Sequence, residues 1–557
     1  MPPPPSYRPG QHTPSSQSSS YRCFVIYFVS VACIWLAGVL LLASLSTGSA
    51  RGRFADRFLR SNRPIAQLDH TITRTQTEAN KPVSSSNPCT DVGDDDAIAG
   101  HKDGRTGNRV YFHVLPPWLN CIVNSSLLSS PPAITSLPNP LNFPIDNSPT
   151  LSNCQRVDFG AELLRRWQSA YSPICDSGSS VAYEHRIRQA RHSGDDYFLE
   201  FHHAAIDPAD GRVHLHCKPA SQLTQSMNYR EHKGLEDVAR MLTFDEKQPT
   251  TAAKDGPVYT LFVRRDCDGA GNLYHCSADL INAFMLLHLI HLTRNTTATP
   301  QLPPPSHANT AILFTDDNPS LTKFSLLWQA LSPAATPLAA YRTSLTSPLS
   351  LPRVYGALQS GANMIWKDFW FDDPCGAVAP ILDAFSRFAT ACYLPQPLST
   401  WLTPPSSQQS SGALRVLVAS RRNAKYRRAS NEDGLARQLA AVLPAGSSVV
   451  LVDLGTLSFE QQVAAVNSVD LLVGMHGAAL NLLLFVLPER RRAELKHKRL
   501  HLMELFTNEK DRPRTYANMA VRLGIGYGAW VGTKDDKEIE LDVAAIAQTI
   551  KKMYNLK

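Results

Sequence analysis

The chain has 557 residues, 43% of them apolar, enough for at least two large cores, and 18% charged against a usual ~25%. Net charge is +7, too little over this length to argue for a nucleic-acid partner. No heptad, collagen or roughly 20–50-residue period is visible, which excludes fibrous and solenoid classes.

Residues 1–22 are rich in Pro and Ser and read as a cytosolic tail without a packed core. Residues 23–45 follow without a single charge. At ~1.5 Å per residue they reach across a ~30 Å hydrocarbon core, so one uncleaved transmembrane anchor is expected. A cleaved signal peptide is the competing reading, with small residues at Ser44–Ser46 or Gly48–Ala50. Arg8 and Arg22 precede the anchor, whereas Arg51, Arg53, Arg57, Arg60 and Arg63 follow it, an imbalance that opposes a lumenal C-terminus. The glycosylation sequons at Asn124 and Asn295, and nine cysteines beyond the anchor with no zinc spacing, favour one. Residues 46–105 are polar and read as a flexible stem. Residues 106–395 form a long mixed region with strand-like runs at 258–263 and 311–314 and a buried helix at 280–290. Residues 396–411 have linker composition.

The last part, 412–557, reads as alternating strand and helix. Short apolar strands are expected at Arg415–Ser420, Ser448–Asp453, Asp470–Gly474 and Leu500–Leu505. Helices are expected at 431–443, opened by a Ser430/Asp433 capping box, at 459–467, opened by Ser458/Gln461, at 515–523, stopped by Gly524, and at 541–555. Strands that are apolar throughout, separated by helices, imply a parallel, doubly wound sheet.

The segment Gly474-Met475-His476-Gly477-Ala478-Ala479-Leu480-Asn481 follows the third strand and is expected to open a helix. Small residues there let a backbone approach a ligand, and the free N–H groups hold an anion. Arg421, Arg422 and Arg427 stand just past the first strand, at the edge of the sheet where such folds bind ligands, and would converge on a diphosphate. No Gly-Lys-Ser/Thr follows, so this is not a P-loop. Arg490–Arg492 and Lys496–Arg499 read as a charged surface loop.

These segments, GMHGAALNLLLFVLP, HLMELF, YANMAVRLGIGYGAW and SRRNAKYRRASNE, resemble glycosyltransferase family 61, and RRDCDGAGNLYHCSADLINAF is similar to its Asn-x-x-His-x-x-x-Asp segment. The resemblance implies a GT-B-type fold, with two Rossmann-like domains facing a cleft, and inverting transfer from a UDP-sugar in the Golgi or endoplasmic reticulum. It implies nucleotide-sugar contacts at Arg421, Arg422, Arg427, Gly474, His476, Gly477, Ala478, Asn481 and Glu504. The sequence departs from the family in Ala479, where Gly is usual, and in a following run one residue longer, which shifts Asn481.

Asn272, His275 and Asp279 are the expected catalytic group. His275 and Asp279 stand at i and i+4, so on a helix they share a face, and a carboxylate orients an imidazole for general-base work. The alternative is a polar helix cap. Asp266/Asp268, Asp316-Asp317 and Asp372-Asp373 read as loops, so no metal is expected, and Trp366, Phe369, Trp370 and Phe371 read as core. The competing class is a catalytically silent membrane-anchored protein that binds a glycan or nucleotide sugar, kept open by Ala479 and Asn481. Protein and glycan hydroxyls both stand as acceptors.

Overall fold

The structure is a computed structural model, and it describes residues 101–102, 108–112, 119, 137–145, 161–188, 195–220, 238–246, 254–265, 272–293, 302–316, 318, 321, 324–356, 378–394, 412–492, 500–508, 514–533 and 538–556. All of these belong to the compact unit Ser85–Lys557. The expected tail and anchor, most of the stem, the linker, both sequons, Asp266/Asp268 and the 366–371 aromatic run lie outside the described residues.

The C-terminal sheet has seven strands in the order His101–Lys102, Arg109–Phe112, Ser448–Val452, Arg415–Ala419, Leu471–Met475, His501–Phe506, Gly526–Val531. Every neighbouring pair is parallel except the first. Apolar residues at every position serve both faces at once. Val416, Val449 and Leu471 face Leu435, Leu439 and Ile550 on one side. Leu417, Val450 and Leu472 face Val463, Leu482 and Met519 on the other. Strand Arg415–Ala419 has its two successors on opposite sides, which makes its carboxyl end the switch point of the sheet.

Residues 109–112, expected in the acceptor-side region, are instead a strand of this sheet, paired with Ser448–Val452. Buried Asn108 anchors them: its Nδ2 donates to the carbonyls of Ala440 (2.7 Å) and Leu443 (3.0 Å), and its Oδ1 accepts from Ser447 N. His101–Lys102, at the end of the expected stem, pairs with the same strand.

The second sheet has ten strands and is mixed, so the parallel order expected of a second Rossmann-like half covers only part of it. Thr336–Pro337, Thr310–Phe314, Tyr259–Val263 and Leu349–Gly356 run parallel in that order, as in half of a doubly wound sheet. Asp195–Ile206, Val181–Arg188 and Tyr171–Pro173 then continue it antiparallel. The antiparallel part has one apolar face, with Ala182, Leu199 and Phe201 in its core, and carries a buried polar group on the other. There Glu200 accepts from His185 Nε2 (2.8 Å), His202 Nε2 (2.7 Å), Arg353 (3.1 Å) and the Tyr355 hydroxyl (3.2 Å). The disulfide Cys175–Cys217 joins the antiparallel strands Cys175–Gly178 and Cys217–Pro219, Cys276 is also in a disulfide, and Cys392 is a buried free thiol.

Helix Leu273–Thr293 is apolar enough to cross a membrane by length and composition, yet it is buried, as expected for 280–290. Its side chains and those of helix Pro380–Tyr393 share one continuous core with the C-terminal sheet. The Ser458/Gln461 capping box is present on helix Phe459–Asn467, and Gly524 ends helix Thr515–Leu523 in the left-handed region at φ 69°. The Ser430/Asp433 box is not. Helix Glu432–Val442 starts after Asn431, Ser430 Oγ donates to the Ile539 carbonyl, and Asp433 pairs with Arg422. Arg490 and Arg491, expected on the surface, are buried in helix Pro488–Arg492. They pair with Asp470 (3.3 Å) and Asp383 (3.0 Å) and donate to the carbonyls of Asn467, Val469 and Leu523. Burial pushes the Arg491 guanidinium down to about 9.

Candidate functional site

The site is built at the carboxyl end of strand Arg415–Ala419. Glu432 opens the next helix and turns back to hold that end: its carboxylate accepts from Ser420 Oγ (2.6 Å) and Arg421 N (2.8 Å). This fixes the start of the 421–427 loop. Arg421 Nη2 donates to the Tyr426 carbonyl at 3.2 Å, while its buried Nε makes no hydrogen bond. Among the described residues Arg421 makes no ion pair. Burial pushes its guanidinium below the ordinary value, and Arg427 beside it adds repulsion. Arg427 holds a left-handed backbone, φ 55°, which side chains rarely adopt, and donates to the His476 carbonyl at 3.3 Å. Glu432 and Asp453 attract Arg421 without pairing with its guanidinium, so two cations stand together with no ion pair among the described residues, and an anion could pair with both.

Arg422 turns the other way. It is exposed and pairs with Asp433 at 2.6 Å, so it does not join Arg421 and Arg427, contrary to expectation.

The Gly474–Asn481 segment lies next to these arginines. Gly474 is a packing residue in its strand: a Cβ there would stand 3.0 Å from Leu480 Cδ2 and 3.4 Å from Ala419 Cβ. Gly477 answers to Arg421, because a Cβ would stand within 3.4 Å of the guanidinium carbon. The expected helix follows as a 3-10 helix, Ala478–Phe485, with Gly477 as its cap. Its run AALNLLLF is apolar nearly all round, is buried from Leu480 to Phe485, and gives way to extended backbone at Val486. Ala478 packs against the shared core. Asn481 is wholly buried and donates to the Leu273 carbonyl at 3.2 Å. It therefore clamps the motif to the long helix instead of lining a ligand site.

His476 is held on three sides. Its Nδ1 lies 2.6 Å from Glu504 Oε1, its ring stacks on Phe506 (5.3 Å, 21°), and Tyr516 meets it edge-on at 5.3 Å. Glu504 is wholly buried, and its other oxygen accepts from the Tyr527 hydroxyl at 2.8 Å. A cavity of about 250 Å³ opens on the Arg421 side, at the end of strand Arg415–Ala419, lined among others by Ala419, Arg421, Asn423, Asp453, Gly455 and Leu480.

The expected catalytic trio stands at the start of the long helix, one aromatic step away. Tyr274 lies 6.3 Å from Tyr516, which touches His476. His275 is half-buried, with its ring edge-on to Tyr274 at 5.4 Å. Asp279 follows one turn later and is buried. Asn272 behaves as the cap: its Oδ1 accepts from Tyr274 N at 3.1 Å and its carbonyl from Cys276 N at 3.0 Å.

Sequence reasoning missed Glu432, the Tyr527 brace on Glu504 and the aromatic bridge through Tyr516. The buried carboxylates could have been suspected from Glu inside or beside apolar runs (HLMELF for Glu504), where a charge needs partners.

No curated protein matches the chain. The mixed α/β architecture with parallel sheets is consistent with a glycosyltransferase fold. Residues 273–492, from the long helix through His476 to helix Pro488–Arg492, match the family model described as Glycosyltransferase 61, a match that implies glycosyl transfer.

Proposed function

We propose that the chain is an inverting glycosyltransferase of GT-B type, a member of family 61. It moves N-acetylglucosamine or a pentose such as xylose from a UDP-sugar to a hydroxyl of a secretory-pathway protein or glycan. The observation that carries this is the pair of guanidinium groups, Arg421 and Arg427, set against Gly477 and His476 at the switch point, inside a segment that matches the family model. The motif residues resemble those of the EGF-domain-specific O-linked N-acetylglucosamine transferase, which favours N-acetylglucosamine and a protein Ser/Thr acceptor. Residues 23–45 anchor the chain in the Golgi or endoplasmic reticulum membrane, with the catalytic part in the lumen.

In this reading the diphosphate lies against Arg421, Arg427 and His476. His275, oriented by Asp279, takes the proton of the acceptor hydroxyl as its oxygen attacks the anomeric carbon. The electron pair of the broken bond stays on the diphosphate, whose charge the arginines neutralise, so no divalent ion is needed. The test is a thermal-shift panel of nucleotide sugars on the full chain, with and without chelator, because a ligand that binds the folded state raises its melting temperature. A shift with UDP-sugars that survives chelator is expected. No shift with any of them rejects the reading, and a shift that needs manganese rejects the metal-free form. A positioned base is worth ~10²–10⁴ in rate, so His275→Ala with unchanged turnover removes His275 from that role.

A further inference from the structure

Glu504 lies wholly buried in strand His501–Phe506, shielded from bulk solvent. Its oxygens are filled by Tyr527 at 2.8 Å and by His476 Nδ1 at 2.6 Å. An ionised carboxylate only accepts, so the hydrogen of the second bond belongs to Nδ1. The stack on Phe506 and the edge contact with Tyr516 fix the ring plane. With Nδ1 committed, Nε2 is the nitrogen left to meet a ligand.

We infer that Glu504, braced by Tyr527, is a positioning residue that pins the His476 proton on Nδ1, leaves Nε2 bare in the free protein, and makes Nε2 take up a proton when a nucleoside diphosphate binds. The proton-uptake step rests on the nucleotide reading above. The charged and titratable groups around the ring are Glu504 and Tyr527 behind it, Tyr516 and Tyr274 at its edge, and Arg427 and Arg421 along the backbone of 476 and 477. A bound diphosphate repels a bare nitrogen lone pair, whereas an Nε2–H between them is a charge-assisted hydrogen bond. In transfer, that N–H faces the oxygen that keeps the electron pair of the broken sugar–phosphate bond.

Two measurements on the full chain test this, both above the ordinary histidine range of ~6.5. In the first, ring-nitrogen spectra of [15N]histidine-labelled protein are taken without ligand, with His476 identified by the signals missing in His476→Gln. A protonated Nδ1 and bare Nε2 are expected, with that preference lost in Glu504→Gln and weakened in Tyr527→Phe. The opposite tautomer in the wild type, or the wild-type pattern kept in a folded Glu504→Gln, overturns the positioning role. In the second, UDP binding is followed by calorimetry in two buffers of different ionisation enthalpy. Uptake approaching one proton per UDP is expected, and none in His476→Gln. Binding without uptake overturns the inference and leaves the glycosyltransferase reading standing. If UDP does not bind at all, that reading fails, and the ring spectrum still decides the tautomer.

Discussion

Two regions of this molecule surround a buried glutamate with histidine and arginine, and they end differently. On the second sheet Glu200 accepts from His185, His202, Arg353 and Tyr355, so each positive or polar neighbour meets the same carboxylate. At the switch point Glu504 accepts from His476 and Tyr527, while among the described residues Arg421 and Arg427 donate to backbone carbonyls and Arg421 Nε makes no hydrogen bond. The first network is closed and can only hold strands together. The second leaves its guanidinium groups without an ion pair among the described residues, which is the opening the proposed anion would fill. Residue types alone do not separate a structural cluster from a site; the balance of donors and acceptors does.

The sharpest way to break this comparison is to delete each centre. Removing one member of a buried, paired group typically costs ~3–5 kcal/mol because its partners stay charged and unpaired. Glu200→Ala should lose stability of about that size in chemical unfolding, and a loss below ~1 kcal/mol would show that the cluster is not closed as described. Arg421→Ala should do the reverse. Stability should hold, since an unsatisfied buried donor disappears, while turnover with a UDP-sugar falls by ~10²–10³, the usual cost of removing one donor to developing charge. Full turnover, or a large drop in melting temperature, would place Arg421 with the structural arginines.

Acid sharpens the contrast next. Burial alone would raise the Glu200 carboxyl, but hydrogen bonds from His185 and His202 reverse this and hold it well below the carboxylate range; burial lowers His202. Both folded values lie below the unfolded ones, so the unfolded chain binds these protons first. Stability should therefore fall as pH drops below 6.5, the ordinary histidine value, and again below 4.5, the ordinary carboxyl value. A wild-type stability curve that stays level through both steps, measured beside Glu200→Gln, contradicts the assignment. The smallest effect belongs to Arg422→Ala. An exposed ion pair is worth ~0–1 kcal/mol, so stability and turnover should both stay near wild type, and a clear loss of nucleotide affinity would return Arg422 to the site.

What could be read in advance follows how far apart the interacting residues lie. The strands at 415–419, 448–452 and 471–475, the Ser458/Gln461 box and the Gly524 stop all rest on residues within a few positions of one another, and each is present. Arg490 and Arg491 read as surface charge because their partners, Asp470 and Asp383, are 20 and 108 residues away. His476 stood out by its motif, but its partner Glu504 is 28 residues off in another strand. Asn481 looked like a ligand contact because it sits in that motif; its true partner, the Leu273 carbonyl, is 208 residues upstream. The antiparallel half of the second sheet was hidden for a different reason. Its Glu, His and Arg residues break the apolar runs, and only the closed network around Glu200 makes them acceptable inside.

The strand Arg109–Phe112 has a consequence for how the chain is made. Its place in the C-terminal sheet depends on partners near Ser447, to which Asn108 bonds across 339 residues. At ~5–20 residues added per second, that partner leaves the ribosome roughly 20–70 s later. For all of that interval the newborn strand has one unfilled row of backbone groups. This outer parallel strand of the C-terminal sheet is thus made long before its neighbour, and until Ser448–Val452 emerges its unpaired backbone row is an open edge.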